Sequence, residues 1–189
     1  MRIKEKFGLG VAVLLASLSA TVNADVGGYA GVEVGTPVNV FTSSSGLAFK
    51  IFGGAKIHEF HISDKMGSIQ LAIQGEYVNF GKFTNSWWGF GSDTGTASGI
   101  GVDAVGSWMT PVFGGDKLGV IVKVGGAQVK EKWNTGGSLY PLGASFTYTG
   151  VSKGVAVEYR IIPALAVTAG SDWYPGGYGL LGISGVFHF

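Results

Sequence analysis

The chain is 189 residues long, with 13 Lys and Arg, 12 Asp and Glu, a net charge of +1 and no cysteine. A balanced charge with no basic run leaves no electrostatic footprint for nucleic acid, and the lack of cysteine excludes a small disulfide-stapled scaffold. The 34 glycines would suit a low-complexity chain, but 13% aromatic and only 13% charged residues are the reverse of what disorder requires.

Met1 to Lys6 carries Arg2, Lys4 and Lys6 against Glu5, Phe7 to Val22 is mostly apolar, and Val22-Asn23-Ala24 closes the segment with small residues. That is the three-part layout of a cleaved secretory signal. A spanning helix would need about 20 apolar residues, and Ser17, Ser19 and Thr21 interrupt this run. Residues 1–24 are therefore predicted to be a signal peptide and 25–189 a single domain. Loss of three bases and one acid would take the net charge from +1 to −1. Mean hydropathy is high at +0.34, yet no later run is long enough to cross a bilayer as a helix. The apolar residues must be distributed by alternation.

Period-two alternation, the signature of strands, recurs in eight segments. Tyr29 to Gly35 sets Ala30, Val32 and Val34 against Tyr29, Gly31 and Glu33. Leu47, Phe49 and Ile51 oppose Ala48, Lys50 and Phe52. Ile69, Leu71, Ile73 and Tyr77 oppose Gln70, Ala72, Gln74 and Glu76. Ile100, Val102 and Ala104 oppose Gly101, Asp103 and Val105, and Leu118, Val120, Val122 and Val124 oppose Gly119, Lys123 and Gly125. Val155, Val157, Tyr159 and Ile161 oppose Gly154, Ala156, Glu158 and Arg160. Leu165, Val167, Ala169 and Trp173 oppose Ala166, Thr168, Gly170 and Asp172, and Leu181, Ile183, Phe187 and Phe189 share one side of the last segment.

Between them, Pro111 to Lys117 and Ile162-Pro163-Ala164 read as tight turns, Pro175 to Gly179 as short and Thr36 to Gly46 as intermediate. Lys82 to Ala97 and Lys130 to about Gly150 read as long loops rich in Gly, Ser, Thr and Trp, and His58 to Gly67 fits the short class badly. Short turns on one side and long loops on the other are the layout of transmembrane barrels. The predicted fold is all-β: an eight-stranded antiparallel transmembrane up-and-down β-barrel.

Which face points outward decides the solvent. The polar faces carry Glu33, Lys50, Glu76, Asp103, Lys123, Glu158, Arg160 and Asp172, with Lys56 near a strand end, among Gly, Ala and Ser. Eight strands enclose a lumen only wide enough for side chains, where these acids and bases could neutralise one another as a structural plug or line an ion path. Facing lipid, each Lys or Arg near the midplane would cost about 2–4 kcal/mol. A soluble barrel would instead expose the aliphatic faces, far beyond an ordinary surface patch. The aromatics at segment ends, Tyr77, Phe80, Phe83, Trp87, Trp88, Phe90, Trp108, Trp133, Tyr159, Trp173 and Tyr174, are expected to form interfacial girdles.

The stretches "GGYAGVEVG", "FKIFGGAKI", "IQGEYVNFGKF", "GVDAVGSW", "KGVAVEYRI" and "LLGISGVFHF" span nearly all of residues 25–189. On them the chain resembles the OmpA-like and opacity-protein family of outer membrane β-barrels. The resemblance implies export to the bacterial outer membrane, and it makes Leu181, Ile183, Phe187 and Phe189 the signal read by the barrel assembly machinery. OmpA itself continues into a periplasmic peptidoglycan-binding domain, which is not carried over to a chain ending at Phe189.

Chemistry is sparse. His61 and Ser63 faintly resemble the His-x-Ser of lipid A deacylases, where His activates a Ser nucleophile. Asp64 follows where that family has Asn, however, and the pair falls in an early connector. His58 and His61 beside Glu59 lack a third clear metal ligand, His188 is expected at the periplasmic mouth, and "GIGVDAVG" lacks the spacing of a phosphate cradle. No catalytic, metal or cofactor site is predicted. Trp87, Trp88, Phe90, Trp133 and Tyr140 are the predicted surface-loop contacts, since loops on a rigid scaffold carry recognition; the alternative seats them in the membrane interface. The expected function is a non-enzymatic outer membrane barrel with a salt-bridged lumen that supports the envelope and presents loops. Its expected partners are membrane lipid, lipopolysaccharide, the assembly machinery and a host or cell-surface ligand. The alternatives are a narrow channel for ions or small apolar molecules and a lipid A-modifying enzyme.

Overall fold

A computed structural model describes residues 27–39, 43–64, 66–86, 92–110, 118–133 and 143–189. The predicted signal peptide and the loop residues Trp87, Trp88, Phe90 and Tyr140 lie outside the described residues. The strands are β1 (Gly28–Asn39), β2 (Ser43–Ser45), β3 (Ala48–Ser63), β4 (Gly67–Ser86), β5 (Ser92–Thr110), β6 (Leu118–Trp133), β7 (Ser145–Ile162), β8 (Leu165–Tyr174) and β9 (Tyr178–His188). The three-residue β2 continues the line of β3 along β4, separated from it by Gly46 and Leu47. Gly46 takes φ +124°, a conformation open to glycine and strained for other residues.

The other eight strands pair antiparallel with their neighbours, and β1 closes the ring on β9. The protein is thus an all-β, eight-stranded antiparallel up-and-down barrel of the transmembrane type, and each alternating segment read from the sequence falls in its own strand. The registers fix its shape. A path of paired residues from Gly28 runs through Ala55, Ile73, Ala104, Val124, Lys153, Trp173 and Gly179 and returns to β1 at Val38, ten residues further along. With strands about 4.8 Å apart and rising 3.3 Å per residue, that stagger tilts them by about 40°.

The two faces have the sign that a lipid exterior requires. Val122 and Val157 are 54% and 48% exposed, whereas Glu158, next to Val157, and Lys50 on β3 are 4% and 0% exposed. The β-branched and other aliphatic residues of the strands thus form an outer belt, and most of the charged residues at its height turn inward. Climbing at that tilt, the belt is about 25 Å tall, the apolar height of a membrane barrel.

Two readings of the connectors are corrected. Most of Lys82 to Ala97 and the ends of Lys130 to Gly150 are strand, since β4 and β5 pair as far as Ser86 with Ser92, and β6 pairs with β7 as far as Lys132 with Ser145. His58 to Ser63 likewise belongs to β3 and pairs with β4, with register shifts after Lys56 and His61. Hydroxyl-rich, glycine-rich sequence imitates a loop, but each residue still contributes its backbone N–H and C=O to the neighbouring strands.

Candidate functional site

The lumen is where this fold concentrates its polar chemistry. At its centre Lys50, fully buried, forms ion pairs with Glu33 at 2.6 Å, with Asp172, and with Glu76 at 4.0 Å. Lys123 holds the other oxygen of Asp172 at 2.6 Å. The cluster exists because β1, β3, β4, β6 and β8 each turn one long side chain inward at the same height, and glycines opposite leave room. A Cβ on Gly182 would stand 2.7 Å from Glu33 Oε1, and one on Gly154 would stand 2.8 Å from Lys123 Cε.

The eight residues predicted as one network are divided in the folded chain. Glu33, Lys50, Glu76, Lys123 and Asp172 form the central cluster. Arg160 pairs with Glu158 at 2.9 Å near the end where the termini meet, with His188 3.6 Å from the same carboxylate. Asp103 accepts a hydrogen bond from Ser152 Oγ at 2.5 Å. Gln74 donates to Glu76 at 3.1 Å and accepts from the Tyr29 hydroxyl at 3.2 Å, so neutral groups complete the central shell.

Sequence reasoning missed two buried acids. Asp93 and Glu131 face inward at the loop end, 3% and 6% exposed. Continuing the alternation of Asp103 and Lys123 along their strands would have found them; both had been assigned to loops.

Above the ion pairs the lumen is mostly apolar, with Asp93 and Glu131 set among aromatic and aliphatic side chains. Phe80, Phe83, Trp133, Tyr174, Tyr178 and Leu180 pack together with Val78, Val129 and three alanines. Phe80 lies 5.0 Å from Tyr178 and 5.3 Å from Tyr174 between ring centroids, and Phe83 meets Trp133 edge to face at 5.2 Å. This overturns two expectations. Trp133 is not a surface-loop contact but is 2% exposed inside the barrel, because β6 continues to it and keeps the inward parity of Glu131. Phe80, Phe83, Trp133 and Tyr174 are likewise not girdle residues; of the aromatics assigned to girdles, Trp108, Tyr159 and Trp173 do face outward. Phe83 escaped a parity count because the bulge between Asn79 and Gly81, with Gly81 at φ +74°, shifts the alternation by one.

Below the ion pairs, a cavity lined by Gln70, Gln74, Ser107, Glu158, Thr168 and His188 occupies the terminal half, alongside a second apolar patch around Tyr29, Phe52 and Val186. Leu181, Ile183 and Phe187 point outward from β9, and Phe189 is exposed beside the stacked Phe187 ring. The His61 and Ser63 pair does not assemble as a nucleophile and base. His61 Nε2 lies 3.2 Å from Asp64, while Ser63 Oγ accepts from the Met66 N–H.

No protein-family model and no curated protein matches the sequence. Among solved structures, Neisserial surface protein A is similar at 14% identity and TM-score 0.56, covering 87% of this chain and 97% of that one. The attachment invasion locus protein of Yersinia pestis matches at 9% identity and TM-score 0.47 over 87% and 97% of the two chains. The N-terminal barrel domain of Pseudomonas aeruginosa OprF matches at 16% and 0.49 over 85% and 97%. The likeness to the Neisserial protein bears out the eight-stranded fold at a level of identity that speaks for architecture alone.

Proposed function

We propose that this protein is a non-enzymatic, non-conducting barrel of the bacterial outer membrane, of the OmpA-like kind, which stiffens the envelope and presents its loops outside. One observation carries the reading: the aliphatic faces of all eight strands are exposed together, while Glu33, Lys50, Glu76, Asp103, Glu158 and Asp172 are enclosed. Water would not tolerate that exterior and lipid would not tolerate the reverse. The short β7–β8 connection and the paired ends of β1 and β9 lie at one end of the barrel, which makes that end periplasmic, because outer membrane barrels keep short turns there. Residues 1–24 would direct export, and the outward series Leu181, Ile183, Phe187 and Phe189 would be read by the assembly machinery.

Two layers oppose conduction. The aromatic cluster fills the lumen above Lys50, and the Lys50 ion pairs span it. In a planar bilayer the protein is expected to give no steady single-channel steps, and regular steps would favour the channel instead. Membrane placement is tested by gel mobility of detergent-extracted protein. A closed barrel runs differently before and after boiling, whereas an unshifted, freely soluble protein would refute the assignment.

A further inference from the structure

Beyond the apolar belt the outer wall changes character on four adjacent strands. Lys82 of β4 pairs in register with Thr96 of β5, Thr96 with Lys132 of β6, and Lys132 with Ser145 of β7. One row nearer the belt, Ser98 pairs with Lys130, and Lys130 with Thr147. All of these project outward, because the residues between them, Phe83, Ala97, Glu131 and Trp133, are buried inside. Strand spacing and rise place the Cα atoms of Lys82 and Lys132 about 10 Å apart, and those of Lys130 and Lys132 about 7 Å apart. Hydroxyls fill the positions between the ammonium groups.

The depth is specific. Ile100 is the last outward apolar residue of β5 before Ser98 and Thr96, and paired residues climb about 3 Å per strand at this tilt, so Lys82, Lys130 and Lys132 stand about 7–13 Å beyond the belt, in the headgroup region. Lys153 faces outward within the belt, in register with Val124 and Trp173, and its apolar stem lets the ammonium reach up toward the same level.

The acids are distributed in the opposite way. On β4 to β7 the carboxylates Glu76, Asp93, Asp103, Glu131 and Glu158 are all buried in the lumen. Segments 40–42, 87–91 and 134–142, which connect strands at this end, contain no Asp or Glu. Among the described residues none of Lys82, Lys130, Lys132 and Lys153 takes part in an ion pair. A wall selected only for solubility would mix signs. Among the described residues this one presents bases with neutral polar side chains and no carboxylate, at the depth of an anionic headgroup.

We propose that the outward face of β4 to β7 is a docking surface for the phosphate groups of outer-leaflet lipopolysaccharide. Lys82, Lys130 and Lys132 neutralise the phosphates, with Thr96, Ser98 and Thr147 donating hydrogen bonds around them. The assignment rests on the outer membrane orientation proposed above. Basic residues at an anionic membrane surface attract it through additive contributions from each side chain.

The test uses the full folded protein in dodecyl maltoside micelles, first checked for its boiling-dependent gel shift, then titrated with diphosphoryl lipid A while native mass spectrometry reads the bound fraction. Lipid A is expected to bind in preference to dephosphorylated lipid A. Each of K82Q, K130Q and K132Q should weaken binding about fivefold, and the triple variant about a hundredfold. Lys56→Gln, at the opposite end, should leave binding unchanged. The single variants carry the trend even if the triple variant does not fold. A shifted wild-type protein that ignores the phosphates, or lysine variants that bind as well as wild type, would overturn the docking surface alone. A wild-type protein with no gel shift would overturn the membrane orientation and the docking surface with it.

Discussion

The two halves of the lumen are filled by different chemistry. Toward the loops, Phe80, Phe83, Trp133, Tyr178 and Leu180 pack as they would in the core of a soluble protein. From the middle downward, the interior holds Lys50 and Lys123 among Glu33, Glu76 and Asp172, then a cavity whose walls mix polar and apolar side chains. The wall around both halves is built alike, with alternating outward apolar residues. The comparison teaches that a barrel in lipid frees its interior from the usual demand for apolar filling. The hydrogen-bonded wall and the apolar belt define the fold, so the inside can hold whatever is internally satisfied.

Perturbing each layer in turn separates their contributions, and urea unfolding of the barrel in lipid vesicles, followed by tryptophan fluorescence, is the common measurement. The largest loss is expected for Lys50→Ala, about 3–5 kcal/mol, because it strands the Glu33 carboxylate in a buried site and leaves Asp172 with Lys123 alone. A loss below 1 kcal/mol would mean that water solvates the central layer and that it is no plug. Trp133→Ala should cost about 3–4 kcal/mol through the void left against Phe83; a neutral outcome would return Trp133 to the surface. Val122→Arg, on the outward face, is expected to cost about 2–4 kcal/mol and Gln128→Arg, beyond the belt, about 0–1 kcal/mol. Equal effects at the two positions would contradict the placement of the belt edge. Gly182→Ala is expected to cost about 1–2 kcal/mol, less than the loss at Val122, because its methyl must displace the Glu33 carboxylate and crowds the Val34 carbonyl oxygen.

Most of the wall was legible in the sequence because parity is a strong signal where lipid enforces it. Val120, Val122 and Val124 against Gly119, Lys123 and Gly125 leave little choice of face. Legibility failed where that pressure ends. Ser92 to Ser98 carries no apolar alternation because its outward residues stand beyond the belt, so a paired strand resembled a loop. With the strand ends misplaced, Asp93, Glu131 and Trp133 were missed as interior residues. Phe83 was hidden for a different reason: a one-residue bulge is invisible to a period count unless the partner strand is known. Within the lumen, the residue types were readable but the partition into separate ion-pair groups was not, since heights depend on the stagger between strands.

The seam between β1 and β9 has a consequence for how the molecule comes into being. Tyr29 is partnered by His188 and Asn39 by Tyr178, so the first strand to emerge during synthesis waits for the last. Until those final residues are delivered, two unpaired edges persist, each able to capture a strand from another chain. Closure therefore joins the most distant parts of the polypeptide, a topology that folds slowly.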